Sequence, residues 1–448
     1  MARSLQNISR LDMDWSSNRY FVRMMLALFC AIGFLQHPVF AQDSEAPDWP
    51  DPRVGMCSAT LGDTLYLIGG AQSVQGRNFA NLTGTSTVEA FNLSTETWIT
   101  SIAPLETPRV FACAAALNDS IYVMGGVDSL GHVLNSVEVY DPAENRWHYT
   151  SSMKFARKGA AAVAYGDYIL VFGGGDAMNV LHREVESYSP QNGIWRVLKE
   201  ETLLGRAFHH VAKIGNSVYI FGGLGATIGP VGIIEKYIPS VGVVSVGLSW
   251  RTRAFFGAVT RSDSVVVISG YGESTNGSGY LTNVDMLEFD NPDSVVERNT
   301  NKSLDDPRRG FVAAAGNGGK IYIFGGISPD YKSGLIPVAS VATLENVVTA
   351  VAGNNIKPVP AGFKLDQNYP NPFNPTTNIF FEVPSPGSRV RLDVYNIIGQ
   401  RVATLVDGFR YAGSYSVTFN GANMPSGAYI YRLETENGSI FRKMVLIK

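Results

Sequence analysis

Cysteine is nearly absent: the chain has three in 448 residues, too few for a disulfide scaffold. Histidine is scarce too, with six in all, and their spacing shows no convergence of three or four metal ligands. Basic charge is not in excess. Thirty-six Lys and Arg against 39 Asp and Glu leave a net −3, so there is no electrostatic footprint for nucleic acid. No apolar run is long enough to span a bilayer, the run Met24–Leu35 (MMLALFCAIGFL) having twelve residues. G-x-S-x-G, phosphate-loop and H-E-x-x-H signatures are all missing. These absences leave no catalytic signature, and no metal or cofactor is expected.

The N-terminus is informative. Arg19 and Arg23 precede the apolar run, and Val39 and Ala41 are small enough for the −3 and −1 positions of a signal-peptidase site. Residues 1–41 therefore read as a signal peptide, and the mature chain as exported without a transmembrane segment. The remaining cysteines, Cys57 and Cys113, occupy equivalent positions in a repeat and read as small buried fillers.

That repeat dominates the chain. LYLIGG, IYVMGG, ILVFGG, VYIFGG, VVVISG and IYIFGG end in pairs that begin at Gly69, Gly125, Gly173, Gly222, Ser269 and Gly325, spaced by 56, 48, 49, 47 and 56 residues. Sixteen residues before each stands an arginine: Arg53, Arg109, Arg157, Arg206, Arg253 and Arg309. Two apolar strands joined by Gly-Asp, Asn-Asp or Gly-Asn turns lie between, which suits two-residue hairpins. A third strand follows (STVEAF, NSVEVY, EVESYS, GIIEKY). Its aromatic residue, Phe91, Tyr140 or Tyr188, stands seven residues before Trp98, Trp147 or Trp195.

Paired glycine, upstream arginine, Val-Glu-x-Tyr and tryptophan at this period resemble kelch repeats. The resemblance implies an all-β fold, a six-bladed kelch-type β-propeller over residues 42–352. Closure would proceed without a shared blade or with help from residues 43–50. Blades of this kind are unstable alone and gain stability by packing on both neighbours.

Strand direction sends the loops after the glycine pairs, and the links between blades, to one face. That face carries the long insertions and is the expected ligand face. The six arginines start there and are read as structural, paired with Glu89, Glu138, Glu186 and Glu235. Trp49, Trp250, Tyr271, Tyr280 and Tyr331 fall on the same face and are the candidate ligand-binding residues, suited to stacking on sugars or gripping a peptide. Some kelch propellers are copper radical oxidases with a Tyr-Cys crosslink and a Tyr-His pair, but no Tyr-His dipeptide occurs here.

Residues 353–362 read as a linker. Beyond it come QNYPNPFNP, VYNIIG, VATLVDG, AGSYSVTF, SGAYIYRLE and KMVLIK, whose alternation predicts a small C-terminal β-sandwich of about seven strands. In order and spacing, residues 363–448 resemble the C-terminal sorting domain of type IX secretion substrates. The resemblance implies export through an outer-membrane type IX machinery to the cell surface or medium. Such a label is expected to fold separately and to contribute nothing to the propeller. The combined reading is an exported binding protein for a carbohydrate or protein ligand, with a sugar oxidase or epimerase as the alternative.

Overall fold

In a computed structural model, the described residues run from 49 to 347 and from 363 to 448, together with 39–40. Breaks fall at 50, 73–81, 100, 227–228, 240, 249–250, 262, 275–276, 292–293, 329–336, 346, 397–399 and 436–437. The expected signal peptide and linker lie outside the described residues, except Val39–Phe40, as do Trp250 and Tyr331.

The repeats fold as antiparallel sheets in chain order. Blade one is Cys57–Leu61, Thr64–Ile68, Val88–Asn92 and Thr97–Ile99; blade two is Cys113–Leu117, Ser120–Met124, Val137–Asp141 and Arg146–Thr150. Blade three is Ala161–Tyr165, Tyr168–Phe172, Glu186–Ser189 and Ile194–Val197; blade four is His210–Ile214, Ser217–Phe221, Ile233–Ile238 and Gly242–Leu248. Blade five holds Gly257–Thr260, Ser264–Ile268, Asn283–Asn291 and Ser294–Ser303, and blade six has Val312–Ala315, Ile321–Phe324 and Ala342–Leu344. The polar dipeptides make the tight turns, for Leu61 pairs with Thr64, Leu117 with Ser120, Tyr165 with Tyr168 and Ile214 with Ser217. Each seven-residue aromatic–tryptophan spacing becomes a directly opposed pair: Phe91 with Trp98, Tyr140 with Trp147, Tyr188 with Trp195.

Neighbouring sheets share buried apolar clusters, and one of these joins Leu67 and Phe91 of blade one to Tyr322 and Phe324 of blade six. Backbone hydrogen bonds reinforce the closure. The second glycine of each pair donates its N–H to the arginine carbonyl of the next blade: Gly70 to Arg109, Gly126 to Arg157, Gly174 to Arg206 and Gly223 to Arg253. Gly270 then donates to Arg308, and Gly326 to Arg53. The first glycine of the pair is required by the same approach. A Cβ at Gly173 would lie 2.3 Å from the Arg206 carbonyl oxygen, and φ there is +61°. Ser269 stands in for glycine in blade five with φ 50°, its hydroxyl within hydrogen-bond reach of the Leu281 and Arg308 carbonyls.

The buried arginines hold the ladder from inside. Arg109, Arg157 and Arg206 meet Glu138, Glu186 and Glu235 at 2.5, 2.8 and 2.5 Å, all nearly inaccessible. Arg53 pairs with Glu89 at 2.9 Å, and Arg253 pairs with Asp285. The sixth position corrects the sequence register. Arg308, not Arg309, is buried there, donating to the Gly325 and Ser340 carbonyls. Its one-residue offset releases Arg309 toward the long-loop face. Cys57 and Cys113 are free and buried, and burial pushes both thiols up to about 12.

The tail is a two-sheet sandwich: Lys364–Leu365, Thr376–Val383 and Gly413–Asn420 against Arg401–Arg410, Ser388–Asn396, Gly427–Thr435 and Gly438–Leu446. Phe373, from the proline-rich lead-in, packs into its core beside Phe419. The expectation of an independent tail needs correcting. Ile430 and Phe441 of the sandwich share a buried cluster with Leu204, Val231 and Ile233 of blade four. Their outward apolar side chains were not distinguishable in sequence from the sandwich's own alternation.

Candidate functional site

Two residues after each buried arginine, the chain turns inward around the axis. Gly55, Phe111, Gly159, Phe208, Phe255 and Gly310 all have positive φ, between 55° and 69°. Each of these N–H groups donates to the carbonyl of its counterpart in the preceding blade, from Phe111 to Gly55 (2.7 Å) round to Gly55 on Gly310 (2.9 Å). Glycine takes this conformation without steric cost. Phenylalanine does not, at about 1–2 kcal/mol per residue, and such outliers concentrate at functional sites.

The three strained rings gather over the axis. Phe208 and Phe255 stack with centroids 4.2 Å apart, and Phe111 meets Phe208 edge-on at 5.0 Å. The flanking glycines make room. A Cβ at Gly55 would lie 2.6 Å from the Phe111 ring, and one at Gly159 2.8 Å from that of Phe208. All three rings remain half-exposed.

Beside this aromatic floor lies a cavity of about 640 Å³, walled by loops of blades three to six, including Lys158, Leu181, Pro230, Tyr271 and Arg309. These are the loops that follow the arginines and the glycine pairs, so the cavity opens on the expected ligand face. Tyr271 and Tyr280 are opposed in a two-stranded hairpin, Tyr271–Ser274 with Gly277–Tyr280, with rings edge-to-face at 6.4 Å. The Arg309 guanidinium lies 5.5 and 5.1 Å from their ring centres, within cation–π range.

Trp49 does not join this group, and Trp250 and Tyr331 lie outside the described residues. Trp49 is 2% exposed. Its indole N–H donates to Glu89 at 2.6 Å, its ring stacks on Trp98, and its backbone N–H donates to Ala339 of blade six. It serves ring closure and offers no ligand platform, because the ring, the indole N–H and the backbone N–H are all engaged inside the wall between blades one and six.

A second, narrower cavity of about 170 Å³ runs along the axis between the inner strands and is lined by Cys57, Cys113, His209 and His210 among others. Burial, with Arg206, His210 and Arg157 nearby, holds His209 well below the usual histidine range; burial alone brings His210 down to about 4. His132 and His182 lie apart, each beside a carboxylate of its own loop, Asp128 at 3.0 Å and Glu184 at 3.4 Å. Among the described residues no group of three His, Cys, Asp or Glu side chains is arranged to hold a metal.

Sequence reasoning missed the three phenylalanines, Lys158 and the role of Arg309. A signal existed: a position occupied by glycine in some repeats and phenylalanine in others, at a fixed offset from arginine. Placing the sixth arginine at Arg309 concealed it, because the offset then lands on Phe311 instead of Gly310.

Comparison with known proteins matches the first part of the repeat region and the tail. Residues 41–223 match the KLHDC2/KLHL20/DRC7 Kelch-repeats domain, and residues 367–448 match the secretion system C-terminal sorting domain. Kelch-like protein 23 of Homo sapiens is 30% identical over 127 residues, covering 27% of this chain and 20% of that protein. Alpha-scruin of Limulus polyphemus is 29% identical over 110 residues, covering 25% and 12%. Kelch-like protein terF of Aspergillus terreus is 32% identical over 111 residues, covering 24% and 23%. The chain thus spans less than a quarter of the length of each of these relatives. The solved structure of YjhT superposes with a TM-score of 0.55 at 17% identity, covering 67% of this chain and 96% of that one, a likeness of fold.

Proposed function

We propose that this chain, a kelch-repeat protein carrying a type IX C-terminal sorting domain, is an exported binding protein whose ligand sits in the cavity beside Phe208 and Phe255. Export to the cell surface or medium follows from the tail. Binding at this cavity is supported above all by one observation: three blades, two of them adjacent beside the cavity, hold phenylalanine in left-handed backbone, half-exposed, where the other three use glycine. A fold selected for packing alone gains nothing from that strain, whereas a recognition surface gains a rigid aromatic floor.

The cavity has the size of a small-ligand site, and its lining is mainly apolar with a few polar groups. The ligand is an extracellular carbohydrate, a peptide segment or a small molecule. The test is a screen of the purified full chain against glycan arrays and extracellular peptide libraries, beside Phe255→Gly. A ligand retained by the parent and lost by the variant supports the reading. A ligand bound equally by both places recognition elsewhere. Turnover of a sugar in the same screen would favour the oxidase or epimerase alternative.

A further inference from the structure

The two sheets of the C-terminal sandwich have four strand edges between them, and three are blunted in the ways native edges usually are. Lys364–Leu365 is two residues long, and Lys364 pairs with Asp366 at 3.1 Å. Arg401–Arg410 is charged at Arg401, Asp407 and Arg410, and its register against Ser388–Asn396 shifts twice. Gly438–Leu446 carries Arg442 and Lys443 and is flanked by the proline-rich lead-in: the Phe373 N–H donates to the Val445 carbonyl and the Ile447 N–H to that of Phe373. The fourth edge, Gly413–Asn420, is different. It pairs with Thr376–Val383 over eight consecutive positions without a shift, and among the described residues that is its one strand partner. Its sequence, GSYSVTFN, contains neither a charge nor a proline.

From this contrast we infer that the outer edge of Gly413–Asn420 is where the sorting domain is read: a strand of the outer-membrane export machinery adds to it through main-chain hydrogen bonds. An open edge of this length presents a row of N–H and C=O groups, which native proteins rarely leave uncharged, unbulged and uncovered. Strand addition takes its affinity from those groups and its specificity from side chains beside them. Ser414, Ser416, Thr418 and Asn420 are exposed along the strand, and a Cβ at Gly413 would meet nothing within 4 Å, so a second chain has room to approach. Just ahead of the strand, Phe409 and Tyr411 are 55% and 76% exposed, their rings edge-to-face at 5.4 Å. They supply the aromatic anchors that such contacts favour.

The occupant follows from what the domain does and from which of its surfaces are taken. Residues 367–448 match a secretion sorting domain, so a component of the export machinery has to bind it. An export label has to be legible whatever cargo precedes it, and main-chain pairing meets that need because it does not depend on the cargo's side chains. Ile430 and Phe441 turn the outer side of the four-stranded sheet toward blade four, and the lead-in flanks Gly438–Leu446. Gly413–Asn420 belongs to the other sheet and stands at the edge opposite Lys364, where the chain enters the sandwich.

The experiment uses the full chain in secreting cells. A photo-crosslinking phenylalanine analogue is placed at Ser416 and, as a control, at Arg401 on an edge of the other sheet. The expected result is a crosslink from Ser416 to an outer-membrane component of the machinery, and none from Arg401. In parallel, Ser414→Lys with Ser416→Lys puts two charges on the edge, a device that disfavours strand addition. Export of that variant should fall severalfold, with accumulation in the periplasm. Ser414→Thr with Ser416→Thr keeps the edge uncharged and should be exported at the parent yield. Melting of the purified variants separates folding from recognition; where the lysine pair lowers the melting temperature, the crosslinks decide. Normal export of the lysine variant overturns the inference, and so does retention of the threonine variant, which would mean that side-chain identity is read instead of the open edge. Absence of any crosslink from Ser416, or one from Arg401 of equal yield, overturns it too. A crosslink from Ser416 to a second copy of this chain alone would make the edge a self-association surface and overturn its role in export.

Discussion

The backbone N–H of Gly326 donates to the carbonyl of Arg53 at 3.0 Å, joining the last repeat to the first across 273 positions of chain. The same bond recurs at every blade junction, so the glycine pair is a docking device for the next blade's arginine. This explains why the pair tolerates so little. Gly173→Ala would bring a Cβ within 2.3 Å of the Arg206 carbonyl oxygen at φ +61°. It should destabilise by more than the roughly 1–2 kcal/mol of left-handed backbone alone. Gly166→Ala is the control. Its φ is +58° but nothing lies within 4 Å, so chemical denaturation should show only the backbone cost.

The buried ion pairs and Arg309 should separate cleanly in mutagenesis. Glu138 is fully buried and accepts from Arg109 and from the backbone N–H groups of Glu106 and Thr107. Arg109→Ala leaves that carboxylate without its counter-charge and should cost about 3–5 kcal/mol. Arg308→Ala should also destabilise, since its buried guanidinium donates to the carbonyls of Gly325 and Ser340. Arg309→Ala removes the contacts with Tyr271 and Tyr280, each worth about 0.5–1 kcal/mol, so it should cost less stability than Arg308→Ala and act mainly on binding. Equal losses at Arg308 and Arg309 would argue against the corrected register.

Much of this architecture was legible because a repeat multiplies each weak signal. Hairpin turns, the arginine–glutamate pairing and the aromatic–tryptophan pairs were each visible at fixed offsets, and local backbone chemistry dictates them. The candidate site was less legible. Its floor depends on which repeats place Phe at a left-handed position, and its walls come from loops of different length meeting across blades. Trp49 misled for a related reason. Its position near the ligand face said nothing about whether Glu89 and Trp98 would enclose it. The docking of Ile430 and Phe441 on blade four was hidden because strand alternation marks an apolar face without naming what covers it.

The strain at the aromatic floor can be measured directly. Phe255→Ala removes the ring but keeps a Cβ at φ 55°, whereas Phe255→Gly removes both. The glycine variant should be the more stable of the two by about 1 kcal/mol, reversing the usual preference for alanine over glycine. Both should lose ligand. Calorimetric melting of the pair checks this, and an alanine variant as stable as glycine would mean the left-handed backbone carries no strain.

Stability should fall on acidification through the axial histidines. His209 and His210 are held neutral in the fold, His210 down to about 4, while in the unfolded chain each titrates near 6.5. Below about pH 6.5 the unfolded state therefore binds protons that the folded state refuses, and stability declines as pH drops. For His210 alone the loss between pH 6.5 and 4 amounts to about 3 kcal/mol. The position of His209 is taken by Phe256 and Phe311 in the next two blades, so His209→Phe should fit and make the decline shallower. Denaturation midpoints from pH 7.5 to 4.5 for parent and variant test this; an unchanged slope would rule out His209 as a contributor.

Removing residues 363–448 should affect export and stability separately. Without the sorting domain the chain should remain in the periplasm, and appearance of the truncated protein in the medium at normal yield would refute the tail's role. The stability effect follows from the shared cluster. Leu204, Val231 and Ile233 lose their cover when Ile430 and Phe441 are deleted, and burying one large apolar side chain contributes about 1.5–3 kcal/mol. Part of that burial is internal to blade four, so the truncated propeller should fold cooperatively, lose about 2–4 kcal/mol and bind a hydrophobic dye. Phe441→Ser in the full chain should give a smaller change in the same direction, because it disturbs the contact without removing it. A truncated propeller that melts with the parent and binds no dye would show that the sandwich and blade four do not pack together in solution.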